Sequence, residues 1–147
     1  MFKSIVVGTD GSETAKEAVR QSGELARALG AQLHIVSAYH PASGARIQSG
    51  GAWVPERAEW TISRDVEVES VLGEAAGSLR ATGTDVETHA RTGDPAGAII
   101  DVAEEQSADL IVVGSKGMQG TRRFLLGSVP DKISHHAPCC VMIMRTS

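Results

Sequence analysis

The segment richest in potential chemistry is Gly114-Ser115-Lys116-Gly117-Met118-Gln119-Gly120-Thr121-Arg122-Arg123-Phe124-Leu125-Leu126-Gly127-Ser128, where four glycines and three cations fall within fifteen residues. Gly114 and Gly117 let backbone amides approach an anion with no Cβ in the way. Gly127-Ser128 then delivers the chain to a new helix N-terminus, where the amides of Ser128 and Val129 lack intrahelical partners. Such a terminus carries roughly half a positive elementary charge, so a phosphate group is its natural guest. The structural alternative is a plainly capped helix, with Asp131 completing a capping box. Lys116, Arg122 and Arg123 either neutralise phosphates or stand as solvated loop cations, and spacing alone does not choose.

A second loop has a matching entrance. Ile5-Val6-Val7-Gly8 and Ile111-Val112-Val113-Gly114 are near copies, each a β-branched run opening into glycine. The first continues into Thr9-Asp10-Gly11-Ser12, where Asp10 either contacts a ligand at the strand's carboxyl end or caps the next helix through the Ser12 or Glu13 amide. Neither Thr9 nor Asp10 makes a nucleophile with a base, because the histidines are scattered at 34, 40, 89, 135 and 136 and none shares the loop. His135-His136 followed by Cys139 invites a metal, but successive helical side chains diverge by about 100° and a fourth ligand is missing. Imidazoles at a helix C-terminus account for the pair better. There is no G-x4-G-K-[ST], no G-x-G-x-x-G after the first strand and no Ser-Gly-Gly of the pyrophosphatase type, which removes the usual warrants for P-loop transfer, NAD binding and adenylation. Trp53 and Trp60, flanking Pro55, are either a lid or a hydrophobic patch closing over the domain.

These loops must be held by regular elements. Ala15, Ala18, Val19, Ser22, Leu25, Ala26 and Leu29 recur at steps of three and four, predicting a helix capped by Ser12 and stopped by Gly30. Leu33 to Ala38 reads as a second strand, completing a strand–helix–strand unit. From Tyr39 to Glu56 the periodicity lapses among prolines, serines and glycines, which predicts a mobile loop over about residues 40–57. A helical stripe returns between Ile62 and Leu79 through Val68, Val71, Leu72, Ala75, Ala76 and Leu79. Val86 to Ala90 suits an outer strand. Asp94-Pro95 offers a cap and a first-turn proline for a helix to about Gln106. Leu110 to Val113 is a buried strand, a short helix runs from Val129 to about His136, and Val141 to Met144 forms a last strand. Cys139 and Cys140 open that strand, where they are expected to be packed rather than redox-active. Five strands and four helices alternate, the pattern of an α/β fold.

Composition sets the outer limits. The 147 residues fit one domain, large enough to stay folded without disulfides or a structural metal. Fourteen basic against eighteen acidic residues give a net charge of −4, the wrong sign for phosphate-backbone binding, and 3% aromatics leave few rings for base stacking. Nucleic acid is therefore not expected as a partner. Adjacent cysteines suit neither a disulfide framework nor a zinc site, and the N-terminal apolar run is too short for a signal core. The expectation is a soluble cytoplasmic protein with no membrane segment.

The spacing Gly-x2-Gly-x9-Gly-Ser, intact at Gly114, Gly117, Gly127 and Ser128, resembles the nucleotide-binding signature of the universal stress protein family. The resemblance extends over nearly the whole of 1–147. It includes Val7-Gly8-Thr9-Asp10-Gly11-Ser12, Val36-Ser37-Ala38-Tyr39, Gly93-Asp94-Pro95, Ala108 to Gly114 and Leu125-Leu126-Gly127-Ser128-Val129. It implies an open five-stranded parallel sheet of order 3-2-1-4-5 with helices on both faces, of the adenine nucleotide alpha hydrolase-like kind. Family members with this signature bind ATP, and some members bind cyclic AMP instead. Carried over by residue, Asp10 would contact the ribose, Thr9 would line the same pocket, the Ala38 backbone would read the adenine edge and Val113 would pack on the nucleoside. Gly114, Ser115, Gly117, Gly127, Ser128 and Val129 would hold the phosphates, within a nucleotide loop spanning 114–128. Gly8 departs from the family, standing where many ATP-binding members carry proline. The resemblance further implies a nucleotide-dependent switch of the stress response, with ATP, cyclic AMP or AMP as ligand and Mg2+ entering through the phosphates. It implies a binding protein with at most slow ATP hydrolysis, and a homodimer formed through the C-terminal strand.

Overall fold

Ile5, Val6 and Val7 are all completely buried, which requires a strand covered on both faces. The computed structural model describes residues 1–39, 55–115 and 128–145, and their side chains except those of 55–65. Along the chain run β1 (Ser4–Gly8), α1 (Glu13–Leu29), β2 (Gln32–Tyr39), α2 (Pro55–Arg80), β3 (Val86–Thr92), α3 (Pro95–Glu105), β4 (Leu110–Gly114), α4 (Ser128–His136) and β5 (Cys140–Met144). The strands form one parallel sheet in the order β3-β2-β1-β4-β5, as the resemblance implies.

Alternation along each strand sorts the core into two layers. Ile5, Val7, Leu33, Ile35, Leu110 and Val112 pack against Ala18, Val19 and Ala26 of α1 and Leu72, Ala76 and Leu79 of α2. Val6, Val36, Ile111 and Val113 face Ala98, Ile99 and Val102 of α3 and Ile133 of α4. Each buried Val, Leu or Ile side chain among these contributes roughly 1.5–3 kcal/mol. Among the described residues no helix is long and apolar enough to cross a membrane.

The helix ends follow the sequence. Ser12 Oγ accepts the Ala15 N–H at 3.2 Å, and Gly30 in left-handed conformation ends α1. Asp94 Oδ2 accepts the Gly97 N–H at 2.9 Å, with Pro95 in the first turn of α3. One clamp joins distant parts of the chain: the Asp109 carboxylate accepts the Lys3 N–H at 2.9 Å and the Ser4 N–H at 3.1 Å, and its own N–H donates to the Ser4 carbonyl at 3.0 Å.

Four expectations need correction. Helix α2 begins at Pro55, so positions 55–57 of the expected loop are helical. Proline is well tolerated in a first turn, and the polar stretch behind it carries no apolar stripe that could have announced the helix. The remainder of that loop, Trp53 and the Trp60 side chain lie outside the described residues. Leu29, placed on the buried stripe of α1, is 41% exposed at the helix end. Cys139 precedes β5 and is half-buried, with its thiol pushed up by burial, whereas Cys140 is exposed because β5 is an edge strand. The histidines are not all scattered: His34, buried in β2, places Nδ1 3.0 Å from Nε2 of His89 in β3. Burial pushes both imidazoles below their ordinary range, so at neutral pH they meet as uncharged rings.

The turn from β1 into α1 rests on Gly11, whose φ of +82° suits only glycine comfortably and whose absent Cβ would lie 3.1 Å from Val71 Cγ2 on α2. Gly11→Ala is expected to lower stability in urea by about 1–2 kcal/mol from the left-handed backbone alone. Combined with Val71→Ala, the loss should be smaller than the sum of the two single losses, because the crowding is removed and the strain is not. Additive losses would show that the contact is not felt.

Candidate functional site

β1 pairs with β2 on one side and β4 on the other. The helix after β1 lies on one face of the sheet, and α4 lies on the opposite face. Connections therefore diverge at the carboxyl ends of β1 and β4, which is where open α/β sheets leave a crevice. A cleft occupies this point, bounded by the ends of β1, β2 and β4 and by residues of α1, α3 and α4.

Its floor comes from strand ends. The Thr9 N–H donates to the Val36 carbonyl at 2.9 Å, extending the β1–β2 ladder one residue past β1. The chain then turns: Thr9 Oγ1 accepts the Gly11 N–H at 3.2 Å and Asp10 Oδ1 accepts the Ser12 N–H at 2.9 Å. Both side chains are thereby held at the mouth of the cleft. Gly8 has no Cβ because the Ile99 side chain of α3 occupies that space, which brings α3 against the end of β1. Val36, Ala38, Ile99, Val113 and Val129 make an apolar wall, while Thr9, Asp10, Ser12 and Thr14 supply polar groups at one side. A flat heteroaromatic ring suits the wall, and hydroxyl-rich or charged groups suit the polar side.

Thr9, Asp10, Ala38, Val113, Gly114 and Val129, all named from the sequence, line this cleft together. Ser115 and Ser128 follow and precede lining residues without lining it themselves. The Ser115 N–H donates to the Met144 carbonyl at 2.8 Å, so its hydroxyl is the group it can turn to a ligand. Gly117, Gly127, Lys116, Arg122 and Arg123 lie outside the described residues. Asp10 makes the bond to the Ser12 amide that its capping alternative names, while the cap of α1 proper is the Ser12 side chain. Ser12 before α1, Thr14 and Ala15 of α1, Pro95 and Ile99 of α3 and Pro130 of α4 also line the cleft, although the sequence marks Ser12 and Pro95 only as helix-end residues and the other four not as ligand-facing. The Gly93-Asp94-Pro95 turn was the one sign of α3's approach; the others depend on how helices pack over the sheet.

Comparison with known proteins agrees with the fold. The family model described as the Universal stress protein family matches residues 1–145. The chain belongs to the universal stress protein family. The universal stress protein Rv1636 of Mycobacterium tuberculosis is 33% identical over 147 residues, covering 99% of this chain and 98% of the relative. A crystal structure of a universal stress protein in complex with cAMP superposes with a TM-score of 0.75 at 32% identity, covering 99% of this chain and 98% of the other. The universal stress protein from Archaeoglobus fulgidus in complex with dAMP gives 0.67 at 27% identity, covering 97% and 98%.

In this universal stress protein the Asp10 carboxylate has a structural task that can be separated from ligand contact. Asp10→Ala removes the bond to the Ser12 N–H and is expected to cost about 0.5–2 kcal/mol in thermal unfolding of ligand-free protein. Asp10→Asn keeps an acceptor oxygen and should lose less than half as much. Equal losses in the two variants would mean that charge, not the turn, is what Asp10 provides.

Proposed function

We propose that this protein is an adenine-nucleotide-binding module that acts as a nucleotide-dependent switch in the stress response, with ATP as its ligand. The observation that carries this reading is the convergence of Thr9, Asp10, Ala38, Val113, Gly114 and Val129 on one cleft where the strand order reverses. Adenine lies against the wall of Val36, Ala38, Ile99 and Val113, with the Ala38 backbone reading its edge. Asp10 offers its second carboxylate oxygen to a ribose hydroxyl. The phosphates are held by the Gly-x2-Gly-x9-Gly-Ser segment, through the Ser115 hydroxyl, the Ser128 amide and hydroxyl and the Val129 amide, with Gly117 and Gly127. Mg2+ enters with the nucleotide, bound mainly through phosphate oxygens. Ordering of that segment by ATP changes the surface a partner reads. The module binds its nucleotide and hydrolyses it slowly at most.

Cyclic AMP is the second reading, favoured by the 32%-identical relative in complex with cAMP. Its single phosphate needs fewer donors than a triphosphate. Calorimetric titration of nucleotide-free protein with ATP and Mg2+ is expected to give micromolar or tighter binding, weakened at least tenfold in Gly117→Val. Blockade of that binding by equimolar cyclic AMP would assign the cleft to the cyclic nucleotide. Absence of heat with either ligand would end the nucleotide reading.

The same module works as a homodimer through β5 in the cytoplasm, where its adjacent thiols stay reduced. Among the described residues β5 has a neighbour on one side only, and Ile143 is 39% exposed on it. Pairing two copies across a two-fold axis covers that edge. Sedimentation at micromolar concentration should give the dimer mass, and a monomer both with and without ATP would exclude the interface.

A further inference from the structure

His34 and His89 do not line the cleft. In the β2–β3 register His34 is opposite Glu87 and Val36 is opposite His89. Residues two apart on a strand share a face, so Glu87 and His89 project on the same side as His34. His34 Nδ1 lies 3.0 Å from His89 Nε2 and 3.6 Å from Glu87 Oε2, and the three ligand atoms fall within 4.8 Å of one another. We propose that His34, Glu87 and His89 bind a divalent late transition-metal ion of the zinc class where β3 pairs with β2.

The spacing carries the proposal. Tetrahedral Zn2+ with bonds near 2.0–2.1 Å places its ligand atoms about 3.3 Å apart. The two separations from His34 bracket that value, and the third, between His89 and Glu87, lies within 4.8 Å, so rotation of the exposed Glu87 side chain brings the set to bonding distance. Two imidazoles and one carboxylate form a donor set that open zinc sites use, leaving a position for water. Nitrogen donors select zinc, copper or nickel over magnesium and calcium. The ligands stand on paired strands, so the site is built before the ion arrives.

The surroundings fit a cation as well. Arg91, two residues beyond His89, is held by Glu105 through contacts of 2.9 and 2.6 Å, which offsets its charge. Gln32 Nε2 lies 3.5 Å from Glu87 Oε2 and orients the carboxylate. Glu87 is 51% exposed at its side chain while His34 is 1%, so an ion enters from solvent and meets a buried ligand at its inner side. The proton now shared between the rings moves to the far nitrogen of its own imidazole, leaving both facing lone pairs for the metal. Val36, the nearest residue of the cleft wall, is two residues or roughly 7 Å along β2 from His34, and none of His34, Glu87 and His89 lines the cleft, so the site is distinct from it.

The test uses the full, tag-free chain, stripped with EDTA, desalted and kept without nucleotide. Titration with Zn2+ alone should show one equivalent bound at micromolar or tighter affinity and a melting temperature raised by several degrees, with no response to Mg2+ or Ca2+. His89→Ala and Glu87→Gln, both at accessible positions, should each weaken Zn2+ at least tenfold while melting normally in EDTA. The combined variant Cys139→Ser, Cys140→Ser, His135→Gln, His136→Gln should bind as the wild type does. Co2+ should give visible d–d bands without a thiolate charge-transfer band. Unaltered affinity in His89→Ala, loss in the combined variant, a thiolate band, or no Zn2+ binding would each overturn the assignment.

Discussion

β1 has a hydrogen-bonded neighbour on each side and a helical layer on each face, and this complete enclosure constrains everything around it. A strand so placed can carry no polar side chain along Ile5-Val6-Val7 without stranding it away from water. Polar chemistry is therefore forced to the strand's ends. At the carboxyl end, Thr9 and Asp10 emerge where the neighbouring chains turn away from each other, and their oxygens are fixed by the amides of Gly11 and Ser12. The cleft thus follows from strand order combined with two-sided burial, with no element devoted to it alone.

Much of this was legible in the residues. Unbroken apolar runs such as Ile5 to Val7 and Leu110 to Val113 are what two-sided burial demands, and Ser12, Gly30, Asp94 and Pro95 mark helix ends by chemistry that acts locally. The candidate residues at the ends of β1, β2 and β4 were legible for the same reason, because they follow directly on recognisable strands. The start of α2 was not, since its first turns carry few apolar positions and resemble a loop. Ile99 and Pro130 were hidden because helix packing, unlike capping, has no local mark. The meeting of His34 with His89 needed a strand register, which a separation of fifty-five positions along the chain conceals.

The walls of the cleft are also tied to one another. Lys132 of α4 reaches the Asp94 carboxylate at 2.8 Å while the same oxygen caps α3. The pair is about half exposed, so it adds little to stability on its own. Its effect is geometric: the starts of α3 and α4 are kept in register on the face that Val36 and Val113 line. The opposite side, formed by the β1–α1 turn, is fixed separately by Gly11 against Val71.

The Asp109 clamp has a consequence for how the chain reaches this state. Its carboxylate receives two amides from residues more than a hundred positions earlier, and β4 then supplies the second edge of β1. On the ribosome, the first strand emerges long before either partner group exists. Until residue 109 is made, β1 has β2 alone as a companion and one open flank of unpaired amides and carbonyls. Such distant contacts slow the final step of folding, and they leave the nascent chain dependent on its last third to seal the strand that was synthesised first.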